Sequence, residues 1–456
     1  MSEFLYHYNP VDPATWFYLS SLLMIGLFFK FGRVWSVRNL DLLLLMLLAP
    51  GLLFIHYGNE MINRANDATL SLSPRAEAKV SVEPDSTETV EPNEDQVTEL
   101  EAGTRAQLYG YYWLFAVGLL WLIRMLADPL MVRRPLLEPN LTGGGLTFIG
   151  CSLFVFLMAN VINKSPEPET TVTVTNLTET TTTEQLPKET NSEPGYRHFT
   201  GLRIGAKKVL CISAHMTVVL AMVLIGYWHF DNIVMGIGAA TLYLMLPYTS
   251  VMTNRVQHVL PAALVVSATL CYRRPVLSGT LLGLAGGLAY YPLFLLPLWL
   301  SFYWPRGVRR FFGAYVATLA LLTLVLIVPS SDRWADLCSM YGIRWPAMVG
   351  LGGIWSPVLG AWSPFYRVPV IATFAVLAVG LAIWPAQKNL GSLLSCTSAV
   401  MIGSQFWHGY GGGTFIAWYV PIVLLTTFRP NLEDRVAVSV IPPSIFDRKR
   451  DTAVAS

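Results

Sequence analysis

The sequence predicts an all-α, polytopic membrane protein. Of its 456 residues, 53% are hydrophobic and only 13% carry a charge, outside the usual range of soluble domains. Apolar runs long enough to span a bilayer, or nearly so, recur along most of the chain. These runs are continuous rather than alternating over ten residues, which excludes a transmembrane barrel. About twelve or thirteen segments are expected, including one broken pair of short helices.

The first two spans are expected within 1–57, at Trp16 to Phe29 and Leu40 to Tyr57, with Lys30, Arg33 and Arg38 between them. No basic leader or small-residue cleavage site precedes Trp16, so the first run is expected to stay in the mature protein. Residues 58–107 are acidic and rich in Ser, Thr and Pro, too polar for a core, and read as a largely disordered outer loop. Spans 3 and 4 fall in 108–162, at Leu108 to Ala127 and Leu146 to Val161. A Thr/Glu tract marks 163–208 as a second outer loop of the same kind.

The main bundle is expected over 209–428. Span 5 (Val209 to Trp228) and span 6 (Ile233 to Tyr248) are joined by a turn capped by His229 and Asp231, and span 7 begins near Val259. From Cys271 to Phe311 two apolar halves of about a dozen residues meet at Tyr290-Tyr291-Pro292, each too short for a hydrocarbon core of roughly 30 Å. Arg273-Arg274 flank one side and Arg306, Arg309 and Arg310 the other. A single tilted helix would put one cluster on the wrong face, so a pair that folds back is expected. Such breaks persist only where the freed backbone faces protein or a wet cavity, and a cavity is expected there. Span 9 (Phe312 to Val328), a loop from Pro329 to Arg367 and spans 10 to 12 follow (Val368 to Trp384, Leu390 to Phe406, Thr414 to Phe428). A cytoplasmic tail over 429–456 ends the chain.

This alternation places eleven Lys and Arg in the short inner loops and four in the short outer ones, an N-outside, C-inside arrangement. The net charge of +2 says little about partners. The five cysteines are scattered, with no disulfide framework or CxxC pair, and read as small packing residues. Gly143 to Gly145 and Gly411 to Gly413 lack a nucleotide-loop context and read as flexible turns. Gly279, Gly283, Gly286 and Gly287 read as a close-packing stripe.

Polar residues of interest gather on the predicted outer face. In the turn after span 6, Asn254, Arg255 and His258 could meet a phosphate or ligand, or simply form a capped, solvated turn. His408, between Trp407 and Tyr410, suits a sugar site and equally an interfacial aromatic belt. Asp332 and Asp336 share the long loop with several tryptophans. If span 2 continues as helix, His56, Glu60, Asn63 and Asp67 share one face, and a carboxylate there could serve as a base. Arg124 and Asp128, four apart, read as a local ion pair.

The run Ala239 to Tyr248, the turn through His258, Arg273-Arg274-Pro275, Gly279, Gly283, Tyr291-Pro292, Arg309-Arg310 and Thr414 to Arg429 resemble membrane glycosyltransferases of the GT-C type, family 87 branch. The chain is also similar to bacterial multi-pass membrane proteins of no assigned activity. The GT-C resemblance implies sugar transfer from a polyprenyl-phosphate donor to a lipid or glycan acceptor on the outer face of a bacterial cytoplasmic membrane. It implies an acidic base in the first large outer loop, where Glu60 and Asp67 stand; on the expected topology Arg255, His258, Asn254, Tyr290, Tyr291, His408 and Asp332 are the candidate substrate contacts. Tyr290 stands where that branch commonly has Lys. Membrane lipids are the other expected partners; no metal, cofactor or nucleic-acid site is expected. The alternatives are a transporter or flippase-like carrier, and a non-catalytic protein keeping the same fold.

Overall fold

Sixteen α-helices and several short 3-10 turns account for most of the described residues, and no strand occurs among them. The structure is a computed structural model. It describes residues 11–72, 94–131, 137–163, 203–342, 352–356, 359, 362–386, 388–409 and 411–430. The acidic centre 73–93, most of 163–208 and the tail from 431 lie outside these residues. Five stretches are long and apolar enough to cross a membrane: Val37–Ala65, Gln96–Leu130, Gly143–Asn163, Ile204–Trp228 and Val308–Ile327. This is the build of an all-α polytopic membrane protein.

Helix α1 (Pro13–Phe28) opens on Asp12, whose carboxylate accepts from the amides of Ala14 and Thr15 at 3.0 and 3.3 Å. The turn after it closes around buried Asn39. Its side chain accepts from the Lys30 amide at 3.2 Å and donates to the carbonyls of Lys30, Arg33 and Val34 at 3.0–3.2 Å.

The expected second span is two helices, α2 (Val37–Met46) and α3 (Leu48–Leu72). Pro50 explains the break, since it has no amide to give Met46 and its ring crowds that carbonyl. Trp113 covers the break by donating to the Leu47 carbonyl at 2.6 Å.

Residues 58–72 and 94–107 correct the expectation of a largely disordered loop over 58–107. They extend α3 and α4 (Glu94–Ala127) as an antiparallel hairpin. At 34 residues α4 is about 51 Å long, so the hairpin reaches past any bilayer. Glycines hold it together, because a Cβ on Gly58 would lie 2.6 Å from the Gly103 carbonyl, and one on Gly110 2.7 Å from that of Gly51. Backbone meets backbone there, a contact that polarity counts cannot register.

Helices α5 (Gly143–Asn163), α6 (Ile204–Trp228) and α7 (Ile233–Met245) follow. Gly143 to Gly145 form the first turn of α5 rather than a flexible loop. Asn232 caps α7, accepting from Val234 and Met235, while Asp231 takes a left-handed φ of 56°. His229 is the C-cap of α6, its amide donating to the Ile225 carbonyl at 2.9 Å and its ring lying 2.8 Å from the Leu270 carbonyl, while the side-chain cap expected of Asp231 is supplied by Asn232. Pro247 ends α7 early and starts the single turn α8 (Pro247–Val251), ahead of α9 (Val256–Leu270).

The broken pair folds back on itself. Helix α10 (Pro275–Leu288) stops at extended Ala289, a 3-10 turn covers Tyr291–Leu295, and α11 (Leu296–Tyr303) returns. Tyr303 Oη donates to the Tyr272 carbonyl at 2.5 Å, so the end of α11 meets the chain just before α10. Helix α12 (Val308–Ile327) then runs parallel to α10, with Gly279 against Phe311 and Gly283 against Tyr315. Arg273-Arg274 and Arg309-Arg310 therefore share one end of the bundle.

The expected loop between Pro329 and Arg367 contains a helix, α13 (Arg333–Tyr341), which includes Cys338. Helices α14 (Arg367–Ile383), α15 (Leu390–Gln405) and α16 (Val420–Phe428) are the remaining helices among the described residues. Every residue of α15 and α16 is buried, which makes them the axis of the bundle.

Candidate functional site

The bundle has two polar ends of different construction. At the basic end, Arg124 grips Asp41 through Nε and Nη2 at 2.7 and 2.9 Å and Asp128 through Nη1 at 3.2 Å. Arg429 donates to the other Asp128 oxygen at 2.6 Å. All four side chains are buried. The Arg124–Asp128 ion pair thus forms as part of a larger network joining α2, α4 and the end of α16. Lys388 belongs to the same end, donating to Ser301 Oγ and to the carbonyls of Ala382 and Pro385 at 2.8–3.0 Å.

The opposite end carries the break. Five rings stack there in one column: His258 on Phe415 at 4.3 Å, Phe415 on His408 at 4.3 Å, His408 on Tyr291 at 4.4 Å and Tyr291 on Tyr290 at 4.0 Å. Trp407 and Trp418 flank Tyr291 at 5.1 and 5.0 Å. The five rings come from four pieces of chain: His258 from the first turn of α9, the two tyrosines from the break, His408 from the loop after α15, and Phe415 from the chain ahead of α16. Tight turns deliver the last two, with Gly411 and Gly413 at φ of 88° and 91°. All three glycines of that run are buried, which corrects the expectation of a flexible turn.

Polar contacts fix the rings. Tyr248 Oη lies 2.6 Å from His258 Nδ1, Tyr290 Oη donates to Tyr291 Oη at 2.5 Å, and Trp418 Nε1 donates to the Gln257 carbonyl at 3.1 Å. Arg367 donates to the Trp407 carbonyl at 2.7 Å and lies over the Trp407 ring. Burial first, and the Arg367 charge second, push the His408 imidazole well below its usual range. It is therefore neutral at neutral pH and packs as a flat polar ring.

The structure thus unites His258, Tyr290, Tyr291 and His408. Arg255 caps the start of α9 on the same turn, exposed, close enough for its charge to reach Tyr248 and His258; half-buried Asn254 precedes it. The remaining candidates lie elsewhere. Leu52 and Ile416 wall one small hollow beside the column, and Glu60 stands eight residues further along α3, about 12 Å beyond. There it pairs with Arg64 on the hairpin surface. Asp67 is on the same helix, with its side chain outside the described residues. Asp332 is exposed and caps α13 by accepting from the Ala335 amide at 3.1 Å.

The cavity expected at Tyr290-Tyr291-Pro292 is instead filled with rings: Tyr291 packs on Trp407, His408 and Trp418, and a Cβ on Gly342 would strike the Tyr290 ring. Phe415, Trp418 and Tyr248 complete this site with no role given them by sequence reasoning, alongside Trp407, which it named only as the neighbour of His408. The available signal was the density of aromatic and histidine residues around the glycine run at 411–413. Among the described residues no group of three His, Cys, Asp or Glu could hold a metal ion. No known protein family, curated protein or solved structure matches the chain.

Proposed function

We propose that the protein is a membrane-embedded glycosyltransferase, moving a sugar from a polyprenyl-phosphate donor to a lipid or glycan acceptor at the end bearing the ring column. The observation that carries the reading is the meeting of the re-entrant break with two histidines and several aromatic rings, flanked by Arg255 and Arg367. Flat rings suit the faces of a sugar, and arginine suits a departing phosphate. In the reaction the acceptor hydroxyl oxygen bonds to the sugar's anomeric carbon as the bond to the donor phosphate breaks. The base takes the hydroxyl proton and the phosphate keeps the electron pair. Asn254, His258, Tyr290, Tyr291 and His408 are the proposed binding residues; Glu60 and Asp67 are the proposed bases, and because Glu60 stands about 12 Å along α3 from the hollow beside the column, this requires the acceptor hydroxyl to be presented from the hairpin side.

The test is transfer of labelled sugar from polyprenyl-phosphate donors by the purified chain with a lipid extract. Glu60→Gln or Asp67→Asn should lower the rate by about 100- to 10,000-fold while the protein still folds. Undiminished transfer by both variants would remove the hairpin acids as bases. Loss in Asp336→Asn instead would move the base to α13, where Asp336 is buried beside Ser330, 2.6 Å away. A second reading, a non-catalytic protein of the same architecture, is favoured by the rings that fill the break. Absence of transfer with every donor tried would select it.

A further inference from the structure

One face of α12 carries a feature that the transferase reading does not use. Only 17% of its most apolar window is buried, the least among the five long apolar stretches, so this helix faces lipid. Val316, Leu319, Ala320, Thr323, Leu324 and Ile327 line an open hollow of about 450 Å³, within the roughly 300–1,000 Å³ typical of small-molecule sites. The hollow ends at Tyr341, whose hydroxyl lies 2.7 Å from Thr323 Oγ1.

In the other direction the same helical face continues through Gly313, where a Cβ would meet nothing within 4 Å, to Arg309. Arg309 is seven residues before Val316, about 10 Å along the axis. It and Arg310 are exposed, and neither pairs with a carboxylate among the described residues. Val276, Leu277 and Phe312, at the same end of α10 and α12, are exposed. A cation at the membrane edge, an open step and an apolar hollow follow one another along a single helical face.

We propose that this face of α12 is a binding site for an anionic phospholipid, with the headgroup phosphate on Arg309 and Arg310 and one acyl chain passing Gly313 into the hollow. Charge complementarity chooses the occupant: two exposed arginines with no carboxylate partner among the described residues, at the foot of an apolar hollow, fit an anionic headgroup better than a zwitterionic one. The arginines lie at the basic end and the hollow runs from there along α12 to Tyr341, next to Gly342, which packs against Tyr290; the proposal does not depend on the transferase reading.

The test is native mass spectrometry of the full chain in detergent with added phosphatidylglycerol or phosphatidylcholine. Wild type should retain phosphatidylglycerol selectively. Arg309→Gln should weaken that retention about tenfold or more, the scale of a lost charge-assisted hydrogen bond. Ala320→Trp, an exposed position that fills the hollow, should also abolish it, whereas Arg33→Gln at the same end should leave it unchanged. Equal retention of both lipids, or unaltered selectivity in Arg309→Gln, would overturn the proposal. So would displacement of phosphatidylglycerol by a polyprenyl phosphate, which would assign the hollow to that lipid instead.

Discussion

The two ends of the bundle solve the same problem, polar groups inside a largely apolar protein, in opposite ways. The basic end buries full charges and cancels them, with Arg124 and Arg429 against Asp41 and Asp128. The ring end relies on faces instead, stacking two histidines with phenylalanine and tyrosine, and its cations Arg255 and Arg367 stand at the edge. The difference concerns tolerance to change. A buried ion network cannot lose one member without stranding another charge. A ring stack can lose a ring and keep most of its neighbours' contacts. The end able to change is where a ligand-handling surface belongs, and the clamped end is where the last helix is locked to α4.

Substitutions can break or sharpen this contrast. The largest effect should come from Asp128→Ala, which strands Arg429 and half of Arg124. Removing one partner from a buried pair costs roughly 3–5 kcal/mol, so the melting temperature in detergent should fall steeply. A mild effect would mean that the network is not the clamp. Next comes Gly58→Leu on the hairpin, where the obstacle is the backbone of Gly103. Overpacking of that kind costs about 1–3 kcal/mol. Limited proteolysis should then cut within 94–107 faster than in wild type; unchanged cutting would show that the hairpin does not depend on that contact. Phe415→Leu removes two stacking partners worth about 0.5–1.5 kcal/mol each beyond their burial, an effect of the same order as Gly58→Leu and below Asp128→Ala. If it melted the protein as strongly as Asp128→Ala, the two ends would not differ in the way described.

Much of the architecture is legible in the sequence, because continuous apolar runs and flanking arginines follow directly from what a bilayer demands. The fold-back of α10 and α11 could be inferred from two arginine clusters that a single tilted helix would have placed on opposite faces of the membrane. The hairpin was not legible. Its helices are polar, and their stability lies in glycine contacts between positions about fifty residues apart, such as Gly58 and Gly103. Helix α13 was missed because nine residues of mixed polarity read as loop. The site was half legible. His258, Tyr290, Tyr291 and His408 stood out as polar or aromatic residues beside turns. That they share one column is fixed by tertiary packing through Phe415, for which no periodicity exists.

The most direct test of the two-ended account is the side from which each end can be reached. In a background lacking the five native cysteines, single cysteines would replace exposed Arg306 and Ala386 at the basic end, and exposed Glu101 and Asp332 at the other. Intact cells, or spheroplasts where an outer membrane intervenes, would then be treated with a membrane-impermeant thiol reagent. The account predicts labelling at Glu101→Cys and Asp332→Cys in intact cells, and at Arg306→Cys and Ala386→Cys only after lysis. Labelling of Arg306→Cys from outside while Ala386→Cys stays protected would contradict the fold-back of α10 and α11 and the division into two ends.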